Sequence, residues 1–248
     1  MRLAIVDVAR GFAILQMIAY HLCYDLNYFS YIHVAMTQDP AWIAWRTAIV
    51  AQFLFLVGVS IVLRERAAPV DSRKSRAYAM RYWRFWKRWL QIALCAAAVS
   101  AASAYLFHAR YIWFGVLHFV ALALLLTLPL QRLGRWNIVL GCVVVAAGLY
   151  VRLPEFAPNT LSWIGFSPVK PHTEDFVPLF PWLGVVLIGM GLAWAWQSGL
   201  GPLPRALRSY NGAYMGALRF LGRWPLTVYM IHQPLLFLGF QALSNAPR

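Results

Sequence analysis

Long apolar runs alternate along the chain with segments rich in basic residues or proline. Seven runs approach the about 20 largely apolar residues that a bilayer span requires. They cover 3–24, 47–63, 89–107, 112–130, 138–151, 177–196 and 224–241. The fifth is the shortest, and its ends extend into Trp136 and Arg152. This pattern predicts an all-α fold, a polytopic membrane bundle of about seven transmembrane helices, organised as a single domain over 1–248. Trp89, Tyr111, Trp113, Trp136, Trp163, Trp182 and Trp224 fall near span ends, as in an aromatic interface belt. Two connecting segments are long. Residues 25–46 are aromatic-rich and expected to lie on the membrane interface or dip into it. Residues 152–175 hold Pro154, Pro158, Pro168 and Pro171, which forbid a helix of any length. That loop suits a lid or binding surface as well as a plain connector. It ends in Glu174 and Asp175, which fit the positive N-terminus of the sixth helix.

The first run differs from the rest because it carries Asp7, Arg10, His21 and Asp25. A charge at bilayer centre costs roughly 2.5–3.5 kcal/mol, so these groups must face protein or water. At 100° per residue, Arg10 and His21 lie three turns plus about 20° apart, roughly 16 Å along the axis. Asp7 is three residues before Arg10 and Asp25 four after His21, so all four share one face. Histidine serves as base and acid near neutral pH. Asp25, one turn beyond His21, is placed to fix its tautomer and stabilise the imidazolium. Arg10 can pair with Asp7 or hold an anionic group. Two further histidines fall inside apolar runs. His118 is in the fourth, and His232 is in the seventh, followed by Gln233 and the kinking Pro234. Each is a candidate for substrate binding or a neutral imidazole bonded to a neighbouring helix. His33, His108 and His172 lie in loops and are expected to be solvated.

Composition narrows the class. Of 248 residues, 61% are hydrophobic and 12% charged, with mean hydropathy +0.60. Soluble domains carry about 25% charged residues. The net charge of +14 would suit nucleic acid if it were spread as a patch. Instead nine basic residues gather in 64–88. Placing that loop in the cytoplasm puts sixteen basic residues inside and five outside. The N-terminus is then cytoplasmic and the C-terminus outside, with Arg10 toward the cytoplasm and His21 and Asp25 toward the outer surface. Within 77–89, Arg81, Arg84 and Lys87 alternate with aromatic residues. They suit the phosphates of a cofactor from the cytosol, or an anionic lipid surface. Cys23, Cys95 and Cys142 are scattered in or beside apolar runs, which predicts neither a disulfide set nor a metal site. Asp7 and Arg10 interrupt any signal-peptide core, so the first helix is expected to be retained.

The ordered motifs carry a resemblance. The opening IVDVARGFAILQMIAYH, with ten residues between Arg10 and His21, resembles the first-helix signature of the transmembrane acyltransferase superfamily. HLCYDL, FLFLVGVSIVL, WFGVLHFVAL, DFVPLFPWLGVVLIGMGLA and LTVYMIHQPLL, in that order, are similar to the bacterial branch akin to the heparan-alpha-glucosaminide N-acetyltransferase catalytic domain. The resemblance implies acyl transfer, usually of acetyl, from cytoplasmic acyl-CoA to an amino or hydroxyl group on the outer side. Acetyl-CoA or another acyl-CoA would be the co-substrate, without a metal. It also implies that His21 is the base or acyl-handling residue and Arg10 its companion, in a multi-pass protein of the bacterial inner membrane. The lysosomal relative uses a histidine in the loop after its first helix. Here that loop holds His33 in a sequence that does not match, so His21 is preferred. Larger relatives have ten or eleven spans, which leaves a homo-oligomer open.

The expected substrate-binding set is therefore His118, His232, Gln233, Asp7, Glu174 and Asp175, around catalytic His21, Asp25 and Arg10. Membrane lipid and a small-molecule or glycan acceptor are the expected partners. Two other specific classes compete, beside a non-catalytic membrane scaffold. A proton-coupled transporter would use the Asp/Arg/His stripe as a proton path, but no paired Gly/Pro-broken helices are evident. A bis-histidine haem protein would draw on His21, His118 and His232.

Overall fold

A computed structural model describes residues 3–66, 76–199 and 213–244. The long helices are α1 (Ala4–Tyr28), α2 (Pro40–Arg66), α3 (Arg76–Phe107), α4 (Val116–Leu130), α5 (Asn137–Tyr150), α6 (Leu179–Gly199), α7 (Ala213–Arg223) and α8 (Pro225–Ser244). No strand occurs among the described residues, only an isolated bridge between Phe114 and Phe176. The fold is thus all-α, as the hydropathy pattern predicts. The chain is built as two compact units. One comprises Val57–Gly201, the other Arg2–Leu56 with Pro202–Arg248.

Six helical stretches are long and apolar enough to cross a membrane. The sequence suggests seven, and the difference lies at Val116–Tyr150, a single 35-residue stretch by length. A straight helix of that length would span about 52 Å, well beyond the roughly 30 Å hydrocarbon core. It is not straight. Gly134 breaks it with φ 55° and ψ −125°, a left-handed conformation that suits glycine. The Val116 amide, at the start of α4, donates to Asp175 just before α6, and Gly148, near the end of α5, packs on Pro181 at the start of α6. Gly134 instead packs on the Trp194 ring, towards the far end of α6. The chain therefore reverses at Gly134, and α4 and α5 are two short legs of 15 and 14 residues. The Asn137 side-chain amide donates to the carbonyls of Leu130 and Gly134 at 2.9 and 3.1 Å, tying the reversal together.

Within the unit Val57–Gly201, α5 and α6 approach through glycines. A Cβ on Gly141 would meet the Gly184 carbonyl, and a Cβ on Gly184 the Gly141 carbonyl. Small residues that let backbones approach are the usual basis of helix association where lipid offers no hydrophobic driving force. Helix α3 runs antiparallel to α4, with Trp89 Nε1 donating to the Ala121 carbonyl at 3.0 Å and Ser100 bonded beside His118. The proline-rich loop forms only short helical turns, at Pro154–Phe156 and Asn159–Ser162. It is stitched down by Leu179 N–H to Trp163 O (2.7 Å), Val177 N–H to Phe114 O (3.2 Å) and Thr173 Oγ1 to Tyr111 O (2.7 Å).

In the other unit, α1 meets its C-terminal cap at Phe29, and Ser30 turns the chain with φ 63°. Asp39 then caps α2, its carboxylate accepting the Ala41 N–H at 2.8 Å with Pro40 at the first helical position. The segment between these helices packs into this unit. Met36 is 3% exposed and packs with Tyr20 and Ile49, flanked by Met17, Trp42 and Trp45. Helix α7 occupies sequence expected to be an inner loop. It lies antiparallel against α1. A Cβ on Gly11 would overlap the Leu218 carbonyl, and one on Gly222 the Asp7 carbonyl.

Candidate active site

Helix α1 carries its polar groups on one face, but the structure gives them two separate sets of partners. Near its start, Arg10 Nη1 donates to Asp7 Oδ1 and to the Gly222 carbonyl of α7, both at 2.9 Å. Asp7 is 5% exposed. Arg10 thus fastens α1 to α7 as well as neutralising Asp7. Midway, Gln16 Nε2 donates to Gln52 Oε1 of α2 at 3.0 Å. Three turns beyond Arg10, His21 and Asp25 meet α8.

At that end a relay forms. His21 Nδ1 lies 3.0 Å from Gln233 Oε1, and Gln233 Nε2 donates to Asp25 Oδ1 at 2.9 Å. A carboxylate only accepts, so the amide nitrogen of Gln233 faces Asp25 and its carbonyl oxygen faces His21. That oxygen in turn requires a proton on His21 Nδ1. The Nε2 atom of His21 therefore bears the lone pair, the form a general base needs. Asp25 is 1% exposed, and its Oδ2 has no hydrogen-bond partner among the described residues. The sequence suggests a direct His21–Asp25 contact, since the two are one turn apart. The structure inserts the Gln233 amide between them.

His232 stands beside the relay. Its ring centroid is 4.9 Å from that of His21, at an interplanar angle of 89°. Its Nδ1 bonds the carbonyls of Tyr229 (2.8 Å) and Val228 (3.2 Å). Carbonyls only accept, so this imidazole too is protonated at Nδ1. Its Nε2 is a buried acceptor without a partner among the described residues. Pro234 follows within the helix and cannot donate to the turn behind it. Tyr20 sets an edge-on wall against His21, with ring centroids 6.1 Å apart, and also packs on Trp42 and Trp45. The result is a base, a second lone pair and a bare carboxylate oxygen within one three-helix cluster. Donors such as N–H and O–H groups match it; anions do not.

The remaining candidates lie in the unit Val57–Gly201. His118 is held at both nitrogens. Ser100 Oγ donates to the Ile112 carbonyl (2.6 Å) and so accepts from His118 Nε2 (3.0 Å), while the Gly115 amide donates to Nδ1 (3.3 Å). Glu174 pairs with Arg110 at 3.1 Å. Asp175 Oδ2 accepts the Val116 N–H at 2.9 Å. These acidic residues do not serve the sixth apolar run as the sequence suggests. Helix α6 starts only at Leu179, and Asp175 caps α4 instead. Arg84 and Lys87 are exposed on α3, while the side chain of Arg81 lies outside the described residues. No group of three or more His, Cys, Asp or Glu that could hold a metal occurs among the described residues.

An Nδ1-protonated histidine, oriented by an amide and a buried carboxylate in a multi-pass helical membrane protein, is an arrangement able to take up and return a proton. A protein-family model described as heparan-alpha-glucosaminide N-acetyltransferase, catalytic, matches residues 2–234. The chain belongs to this family of membrane acetyltransferases. No curated protein and no solved structure gives a significant match.

Proposed function

We propose that this protein transfers an acyl group, acetyl in the first instance, from cytoplasmic acyl-CoA to an amino or hydroxyl group of an outer-side acceptor such as a sugar, in the bacterial inner membrane. Family membership supports the reaction class. The observation that carries the mechanism is the His21–Gln233–Asp25 relay, which leaves His21 Nε2 as a base. In this mechanism His21 Nε2 takes the proton of the acceptor N–H or O–H as that heteroatom attacks the thioester carbonyl. The new C–N or C–O bond forms, the C–S bond breaks, and the CoA thiolate leaves with the proton returned from Nε2. Gln233 Oε1 accepts from Nδ1–H throughout, and Asp25 keeps the amide turned that way. His232 Nε2 and Asp25 Oδ2 are free acceptors for further protons on the incoming amine or hydroxyl. Arg10, about 16 Å away along α1, holds the helix in place. Arg84 and Lys87, with Arg81, are assigned to the CoA phosphates.

The test is acetyl transfer in membranes. His21→Ala is expected to abolish transfer of labelled acetyl from acetyl-CoA at unchanged protein level. Undiminished transfer by that variant would remove His21 from the chemistry.

A further inference from the structure

A cavity lies wholly within the unit Val57–Gly201 and has a volume of about 600 Å³. That is the size of an ordinary small-molecule site. Its floor is made of small side chains, Ala93 and Ala96 of α3 and Ala121 of α4, within stretches apolar enough to cross a membrane. Its walls are aromatic, with Tyr111, Trp113, Phe114 and Trp163. These rings are fixed among themselves and their neighbours. Phe114 lies 5.5 Å from Trp163, and Trp113 lies 5.7 Å from Phe176, centroid to centroid.

The polar inventory decides the ligand. No Asp, Glu, Lys or Arg lines the cavity, so it offers no counter-charge to a phosphate. His118 contributes a ring but no hydrogen-bonding capacity, since Ser100 and Gly115 engage both its nitrogens. Trp163 Nε1 is likewise spent on the Thr160 carbonyl at 3.0 Å. What remains is a polar rim of the exposed Tyr111, Thr160 and His172 with the indole of Trp113, and no polar side chain on the alanine floor. A sugar ring needs a partner for each of several hydroxyls, and each one buried without a partner costs roughly 1–3 kcal/mol. A hydrocarbon chain needs none. The geometry points to a site for one hydrocarbon chain of an uncharged membrane lipid. The chain rests on the alanine floor between the aromatic walls, and a hydroxyl-bearing head sits at Thr160 and His172. This site is independent of the acyltransfer assignment, because it uses no residue of the relay.

The test uses the full-length protein in phosphatidylcholine nanodiscs with a monoacylglycerol carrying a diazirine in its chain. After photolysis, peptide mapping is expected to find label on Ala93, Ala96 and Ala121 several-fold above the exposed, lipid-facing Val139 and Val143. Ala93→Phe fills the half-buried floor, and Ala109→Trp narrows the exposed rim at a position tolerant of size. Each is expected to remove the excess label while leaving Val139 and Val143 unchanged. The proposal is overturned if label in the cavity equals that at Val139 and Val143, or if neither substitution lowers it. It is equally overturned if glucosamine blocks the labelling and excess unlabelled monoacylglycerol does not.

Discussion

Replacing Gln233 by Leu tests the relay most directly. Leucine keeps approximately the same shape at the α1–α8 contact but removes two bonds, the 3.0 Å contact to His21 Nδ1 and the 2.9 Å bond to Asp25 Oδ1. Asp25 then loses the one bond given to Oδ1, while Oδ2 already has no partner among the described residues. An orienting hydrogen bond contributes roughly 0.5–1.5 kcal/mol, and one to a charged group roughly 1.5–3 kcal/mol. Only the part that holds His21 in its Nδ1–H form bears on rate. Taking that part as about 2 kcal/mol, at 1.36 kcal/mol per decade, kcat/KM falls by roughly 30-fold. The assay is initial rate of labelled acetyl transfer in membrane vesicles, normalised to protein level. The loss should fall on kcat, with the KM for acetyl-CoA unchanged, because Gln233 touches the base and not the donor. Gln233→Glu, which keeps an oxygen towards His21, is expected to retain more activity than the leucine variant despite a carboxylate facing Asp25. A leucine variant with wild-type kcat would refute tautomer control by Gln233. A loss tracking protein level alone would make the residue merely structural.

Three further outcomes are expected. Gly222→Leu forces a side chain into the Asp7 carbonyl and displaces the carbonyl that Arg10 holds. It should destabilise the protein by about 1–3 kcal/mol, read as a lower thermal midpoint in detergent. Ser100→Ala leaves the His118 Nε2 proton without its acceptor and should cost about 1–3 kcal/mol, seen in the same measurement, with acetyl transfer unaffected in the folded fraction. Arg84→Glu combined with Lys87→Glu should raise the KM for acetyl-CoA without changing kcat, an effect that shrinks as salt is added. An unchanged KM would leave these residues as a membrane anchor.

What was legible in the sequence was what local spacing controls. The 3.6-residue period put Asp7, Arg10, His21 and Asp25 on one face, and they are on one face. Hydropathy located the spans, and the family signature in α1 and along the chain led to the family that the comparison shows. What spacing could not show is which helix answers each polar group. Gln233 is 208 residues from Asp25, and its place beside His232 marked it as polar without revealing that it would turn both side chains. Helix α7 escaped because Gly216 and Gly222 interrupt an apolar stripe too short to cross a membrane, so it resembles a basic loop. Asp175 caps a helix that begins 59 residues earlier, a pairing no local rule anticipates. The α4–α5 reversal was half visible. Two runs could be separated in sequence, but the left-handed Gly134 that divides one helical stretch into two legs belongs to the three-dimensional turn.

The partners of α1 also set an order of events. Arg10 relies on Gly222, and His21 and Asp25 rely on Gln233, all made about 200 residues after α1 itself. At roughly 5–20 residues per second, the ribosome supplies them about 10–40 s later. For that interval α1 carries groups that bare hydrocarbon rejects. It must wait at the insertion machinery, or at the membrane surface, until α7 and α8 arrive. Helix α1 therefore settles only after α7 and α8 are made, and a nascent chain halted before α7 would leave α1 exposed to quality control.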